Sequence, residues 1–254
     1  MCLINFHFQD HPIYRLIVAA NRDEFYERPT APAHFWEDKP GLLAGRDLSQ
    51  KGTWLGITKN GRFAALTNYR DATEQKKDAR SRGEIVTDFL ESEMTAVEFL
   101  TLLQQKRSDY AGFNVIAGTA DELFYYSNVE NEVKKISTGT HGLSNHFLDT
   151  PWPKVEKGKA DVRKLVEQNR VIQPDELFNV LLNVEPFPDE QLPNTGVGEQ
   201  LERVLSSLFI KSEGYGTRSS TVLLIDQENN ITFVERTYRD GEFTEDRAFT
   251  FQME

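Results

Sequence analysis

The sequence predicts an α+β fold, two mainly antiparallel sheets covered by helices in an αββα sandwich, built as a single domain over residues 1–254. Three observations carry this. Strands and helices come in blocks rather than in strict alternation, which argues against a doubly wound parallel sheet. Several strand-like runs are almost wholly apolar, as strands covered on both faces are. With 17 Phe, 8 Tyr and 3 Trp, the composition supports a full core.

The elements follow in order. Cys2 to Phe8 is apolar and strand-like, Asp10-His11-Pro12 makes a turn, and Tyr14 to Asn21 is a near-continuous apolar strand. Thr53 to Thr58 and Arg62 to Asn68 form a hairpin around Lys59-Asn60-Gly61, where Asn-Gly supplies the positive φ of a tight turn. Ser81 with Glu84 and Thr95 with Glu98 both read as capping boxes, each ahead of apolar residues at helical spacing. Strands resume over Phe113 to Gly118, Leu123 to Asn128 and Val133 to Ser137. Helices are expected over Pro153 to Gln168, Pro174 to Asn183 and Gly198 to Ile210. The chain then returns to strand over Ser219 to Asp226, Ile231 to Arg239 and Ala248 to Gln252. Tyr69 to Ser81 and Glu185 to Gly198 are polar and read as loops.

Charge narrows the function. Twenty-nine basic side chains stand against 40 acidic ones, a net charge of −11. Phosphate backbones and anionic lipid repel such a chain, so neither nucleic acid nor a membrane surface is an expected partner. No apolar run approaches the roughly 18 residues of a membrane span, and no signal peptide is visible. One cysteine excludes an internal disulfide and a Cys-cluster zinc site. A cytoplasmic home is expected. No nucleotide-binding loop, His-Glu-x-x-His or EF-hand pattern occurs, so no cofactor and no metal is expected. His141, His146 and Asp149 carry ligand atoms, but their spacing fits polar loop residues better.

The single cysteine is residue 2. With the initiator methionine removed, Cys2 carries a thiol and a free α-amine. The amine's ordinary pKa of about 7.7–8.0 suits a general base, and the thiolate is a strong nucleophile. The alternative is a small buried hydrophobe at a strand start. Asn21-Arg22-Asp23-Glu24 follows the second strand, near Cys2 in a hairpin. There Arg22 can lower the thiol pKa and a carboxylate can hold the amine. Asn68 and Asn145 offer side-chain amides to an oxyanion, or else are turn residues. Arg218 precedes an apolar strand and can reach a site or water.

Five runs carry a resemblance: Met1-Cys2-Leu3-Ile4, Ala20-Asn21-Arg22-Asp23-Glu24-Phe25-Tyr26-Glu27-Arg28-Pro29-Thr30, Gly45-Arg46-Asp47, Gly52-Thr53-Trp54-Leu55-Gly56 and Leu66-Thr67-Asn68-Tyr69-Arg70. They resemble the transport and Golgi organisation 2 family, also called NRDE after Asn-Arg-Asp-Glu. The resemblance spans the chain and is most specific over residues 1–70. It implies the N-terminal nucleophile hydrolase fold, a four-layer αββα sandwich. Animal members are linked to Golgi organisation, lipid metabolism and haem trafficking, and no agreed biochemical activity comes with the name.

A second resemblance is mechanistic. Cysteine amidohydrolases of the bile-salt hydrolase and penicillin V acylase type open with Met-Cys and carry Arg-Asn-x-Asp after their second strand. The matching stretch is Ala20-Asn21-Arg22-Asp23. By that likeness Asp23 is similar to the aspartate that binds the nucleophile's amine. Asn68 and Asn145 are similar to the two asparagines, and Arg218 to the late arginine. Ala20 departs from the pattern, standing where those enzymes have their first arginine. Arg22 lies two residues on, on the same face of an extended strand.

Together these imply an N-terminal cysteine nucleophile hydrolase acting on a linear amide bond. Cys2, Asp23, Asn145 and Arg218 form its catalytic set, with Asn21, Arg22 and Asn68 in support. Arg22 and Arg218 stabilise the thiolate or hold an anionic substrate. The alternative is a non-catalytic haem or acyl-lipid carrier on the same fold, with Cys2, His7, His141 or His146 as axial haem ligands. A third reading is an interaction protein that kept the scaffold without the chemistry.

Overall fold

The computed structural model describes residues 2–72, 79–168 and 170–254. Met1 and the middle of the Tyr69 to Ser81 loop therefore lie outside the described residues. The strands are β1 (Cys2–Phe8), β2 (Tyr14–Phe25), β3 (Thr30–Trp36), β4 (Lys39–Asp47), β5 (Leu55–Thr58) and β6 (Phe63–Asn68). Helices α1 (Gly83–Glu91) and α2 (Ala96–Gln105) follow. Then come β7 (Phe113–Gly118), β8 (Leu123–Ser127), β9 (Glu132–Lys135) and β10 (Gly139–Leu143). Helices α3 (Pro153–Gln168), α4 (Pro174–Leu181) and α5 (Glu199–Val204) precede β11 (Tyr215–Asp226), β12 (Asn230–Arg239) and β13 (Glu242–Gln252).

The strands make two antiparallel sheets. One has the order β10-β1-β2-β11-β12-β13, and the other runs β3 to β9 in sequence order. Alternation along β2 explains how a strand serves two cores. Leu16, Val18 and Ala20 point between the sheets, where they meet Leu43, Ile57, Phe63 and Ile116 of the second sheet. Ile17 and Ala19 point the other way, onto Val162 of α3 and Leu177, Phe178 and Leu181 of α4. The second sheet buries Ala64, Leu66 and Val115 against Ile85 and Phe89 of α1 and Leu100 and Leu103 of α2. The layers are thus helix, sheet, sheet, helix. Each fully buried Leu, Ile or Phe contributes about 1.5–3 kcal/mol of transfer free energy, so all three interlayer cores matter. No helix among the described residues is long and apolar enough to cross a membrane.

Some expectations change. The second strand does not stop at Asn21. It runs to Phe25, because β11 keeps pairing with it as far as Tyr215. Asn21 to Glu24 therefore lie within a central strand, not after it. Residues 30–36 and 39–47, where the sequence predicts no element, are strands β3 and β4, and 139–143 is the edge strand β10. The last helix is shorter than expected, ending at Val204. The Asn60-Gly61 turn is present, with Gly61 at φ +79 and Thr58 bonded across it to Arg62. The Thr95 capping box is present in both halves. The Ser81 box is not: α1 opens after Arg82 with no side-chain cap. Glu84 is instead bonded to Arg80 at 2.6 Å and to the Tyr110 hydroxyl at 2.7 Å.

Candidate active site

Three adjacent strands gather the candidate residues at one end of the six-stranded sheet. Cys2 pairs with Arg22, Arg22 with Ser219, and Asp23 with Thr217. The register between β2 and β11 slips between Thr217 and Ser219, which makes Arg218 the extra residue of a β-bulge. Bulges bend a strand and re-aim a side chain, and are common beside active sites. A cleft of about 750 Å³ opens here, lined by Cys2, Arg22, Asp23 and Arg218, with Asn68 from the end of β6.

Cys2 is buried in the cleft wall, and its sulfur accepts a hydrogen bond from the Asp23 backbone. Burial pushes the thiol above its ordinary pKa, and the Asp23 charge adds to this. Arg22 and the Asp23 amide oppose the rise without cancelling it. The resting side chain is a thiol, so attack on a carbonyl needs a base to take its proton.

Asp23 is 2% exposed, and Oδ1 accepts a hydrogen bond from Thr217 Oγ1 at 2.8 Å. Burial pushes its carboxyl up, while Lys154, Thr217 and Arg70 pull it down. Those two cations are part of a buried group that sequence reasoning missed. Lys154 Nζ donates to the Leu205 carbonyl at 3.0 Å, and burial with the Arg70 charge brings its pKa down to about 8. Arg70 is ion-paired to Glu202 at 2.6 Å, with both side chains at most 5% exposed. A sequence signal for Lys154 existed. It holds a place in the buried stripe Lys154, Val155, Gly158, Val162 of α3, where an apolar residue is the usual occupant.

Two expected residues do not line the cleft. Asn21 faces the outer helices, where Nδ2 donates to the carbonyls of Leu181 (3.1 Å) and Leu208 (2.8 Å). Its Oδ1 accepts from Ser220. Asn145 is buried behind the cleft and its Nδ2 donates to the Asn68 carbonyl at 3.0 Å. Its neighbour Ser144 donates to the Cys2 carbonyl at 3.0 Å, so Ser144 braces Cys2 and Asn145 braces Asn68.

Glu235 of β12 lines the cleft and was also missed. It is 3% exposed and accepts from the Ala33 amide at 2.6 Å. Burial pushes its carboxyl up to about 7, against the pull of that amide and of Arg22. Gly45 makes room for it: a Cβ there would stand 3.1 Å from Glu235 Oε2. The signal was alternation. Ile231 and Phe233 point into the core between the sheets, and Glu235 continues their face.

Of the haem-ligand candidates, Cys2 lines the cleft and the three histidines are engaged elsewhere. Both ring nitrogens of His7 are bonded, to Thr140 and the Asp10 carbonyl, and both of His141, to Asp149 and the Ser137 carbonyl. His146 bonds Thr150 and packs among Tyr69, Phe147 and Trp152. His141 and Asp149 do meet, but Lys159 takes the third place beside Asp149 at 3.0 Å. Among the described residues no group of three His, Cys, Asp or Glu is arranged to hold a metal ion.

Comparison with known proteins gives a consistent picture. A family model described as Transport and Golgi organisation 2 matches residues 1–240. The Transport and Golgi organization protein 2 homolog of Homo sapiens is 37% identical over 276 residues, covering 100% of both chains. The Drosophila melanogaster protein is 31% identical, covering 93% of this chain and 92% of its own. Among solved structures, the C2A mutant of conjugated bile acid hydrolase from Clostridium perfringens aligns with a TM-score of 0.54 at 8% identity. That alignment covers 100% of this chain and 98% of the other. A Caenorhabditis elegans N-acylethanolamine-hydrolyzing acid amidase ortholog gives 0.51 at 12% identity, over 88% and 92%. At such identities the likeness is of fold, and the fold is that of the N-terminal nucleophile hydrolases.

Proposed function

This chain belongs to the Transport and Golgi organisation 2 family, and from that premise we propose that it is an N-terminal cysteine hydrolase of linear amides. One observation carries the reading: the Cys2 thiol lies in the cleft wall, hydrogen-bonded by the Asp23 backbone, with the Asp23 carboxyl buried beside it. Removal of Met1 frees the Cys2 α-amine, the base that such a thiol requires. The amine takes the thiol proton as sulfur attacks the amide carbonyl. Asp23 holds the resulting ammonium. Asn68 supplies a donor to the oxyanion, and Asn145, bonded to the Asn68 carbonyl from behind the cleft, holds it in place. The C–N bond then breaks, the ammonium gives its proton to the leaving amine, and a thioester remains on Cys2. Water adds to the thioester, releasing the carboxylic acid and restoring the thiol. Arg22, across from Cys2, favours the thiolate and takes over the part of the missing arginine at Ala20.

The test begins with the intact mass of protein purified without an N-terminal tag, which reports whether Met1 is lost. The processed protein and its Cys2→Ala variant are then incubated with a panel of N-acyl amino acids and N-acyl amines. Hydrolysis by the processed protein that falls by at least about 10³-fold in Cys2→Ala is the expected result. A retained Met1, or equal turnover by both proteins, overturns the reading.

A further inference from the structure

The cleft gathers arginines in a molecule dominated by carboxylates. The chain has 16 arginines and 13 lysines against 40 acidic residues. Among the described residues, seven of those arginines line the cleft and no lysine does, against five carboxylates. An acidic protein thus presents an arginine-lined depression. The guanidinium fork fits oxyanions in a way that an ammonium does not.

Three of these arginines are neutralised by close carboxylates: Arg28 by Asp47, Arg46 by Asp38 and Arg80 by Glu84, each at 2.6 Å. Arg22 and Arg218 differ. Arg22 reaches a carboxylate only at 3.8 Å, on Glu24. Arg218 has no described carboxylate within ion-pair distance. Its Nη1 donates to the carbonyls of Phe25 (2.8 Å) and Arg28 (3.1 Å), and its Nη2 to Thr30 Oγ1 (3.3 Å). These neutral acceptors fix the guanidinium and leave Nε and one Nη2 proton without a partner among the described residues. The β-bulge sets its direction. Arg22 sits across from Ser219, next in sequence to Arg218, and burial together with the Arg22 charge lowers the Arg218 pKa. Two like charges side by side and part-buried, faced by Glu24 and Glu235 but with no carboxylate closer than 3.8 Å among the described residues, cost free energy until an anion joins them.

We propose that Arg22 and Arg218 form an oxyanion clamp, so that the substrate is an N-acyl compound bearing a carboxylate, sulfonate or phosphate within reach of Cys2. The assignment of a substrate rests on the hydrolase reading; the clamp itself does not.

Alkylation separates the two. Iodoacetate and iodoacetamide both transfer a carbon to the Cys2 thiolate and release iodide, and only iodoacetate is an anion. The clamp raises the iodoacetate-to-iodoacetamide rate ratio at Cys2 about tenfold or more above that of N-acetylcysteine. Inorganic phosphate at millimolar concentration lowers the iodoacetate rate while leaving the iodoacetamide rate unchanged. Arg218→Gln brings the ratio to the N-acetylcysteine value, and Arg218→Lys, which keeps the charge, recovers part of it. Should Arg218→Gln misfold, the phosphate competition on the unaltered protein still decides. A ratio equal to that of N-acetylcysteine with no effect of phosphate overturns the clamp, even if neutral amides are hydrolysed. A raised ratio without any amide hydrolysis keeps the clamp and defeats the hydrolase reading. With both intact, anionic N-acyl compounds are turned over at least about tenfold faster than matched neutral ones.

Discussion

At the scale of single residues, a buried carboxyl near neutrality couples the cleft to pH. The ordinary Glu value is 4.5, and burial raises Glu235 to about 7, with Glu245 adding to the rise and Arg22 opposing it. Between those two values the folded protein keeps a proton that the unfolded chain releases. The stability linked to that proton is complete below about pH 4.5 and is lost as pH rises through about 7. Glu235→Gln keeps an acceptor for the Ala33 amide without the ionisation. The variant is therefore expected to gain on the native protein as pH goes from 5 to 8, reaching roughly 2–4 kcal/mol. Denaturation midpoints of the two proteins over that range measure it, and parallel curves count against the account. Glu235 also marks how far the site was readable. Cys2, Arg22 and Asp23 were legible because a hairpin brings them together locally. Glu235 and Lys154 were not, since only the strand order β2-β11-β12 carries Glu235 to the cleft and only the docking of α3 carries Lys154 to the buried side of Asp23.

Elements show the same division between local and distant causes. The Thr95 capping box is local, and the structure has it: Thr95 Oγ1 accepts from the Glu98 amide and Glu98 accepts from the Thr95 amide. Ser81 and Glu84 have the same spacing, but Arg80 and Tyr110 compete for the Glu84 carboxylate. A matched pair of substitutions tests this. Thr95→Ala is expected to cost about 1 kcal/mol, lowering the Tm by roughly 2–4 °C, whereas Ser81→Ala leaves it within about 1 °C. Equal losses from both would mean that a cap at Ser81 is made in solution. Strands followed suit. The β5–β6 hairpin was readable because Asn60-Gly61 sets its turn. β3 and β4 are harder to read because they carry Pro32 and Pro40, and proline within sheets is confined to edges and strand starts. Pro32 is tolerated because β3 is the edge of its sheet, and Pro40 because it stands near the strand start. β10 hid behind two glycines on the opposite sheet's edge.

For the molecule as a whole, the question is what locks the two sheets and the outer helices together behind the cleft. Apolar layers hold them face to face, yet they set no unique position along the sheet ends. The Arg70–Glu202 pair does. Arg70 follows β6 of the seven-stranded sheet, its amide donates to the Asn145 carbonyl at 2.7 Å, and its guanidinium lies 4.8 Å from the Trp152 ring. Glu202 belongs to α5 and also accepts from the amide and hydroxyl of Thr195. One buried pair thus ties a sheet end, the start of α3 and the 195–202 segment. A buried pair adds little net stability over apolar residues of the same shape, but breaking it strands a charge. Arg70→Met is therefore expected to cost about 3–5 kcal/mol, while Arg70→Met with Glu202→Leu recovers much of it. Urea denaturation of the native protein, both single variants and the double variant measures the cycle. Strictly additive losses would remove the pair from this role. If the pair also sets the cleft, the double variant refolds to native-like stability while its Cys2 alkylation rate stays altered, because Asp23 has lost the Arg70 charge that lowers its carboxyl. Stability and thiol reactivity then part company, which separates a group that merely holds the fold from one that also tunes the cleft.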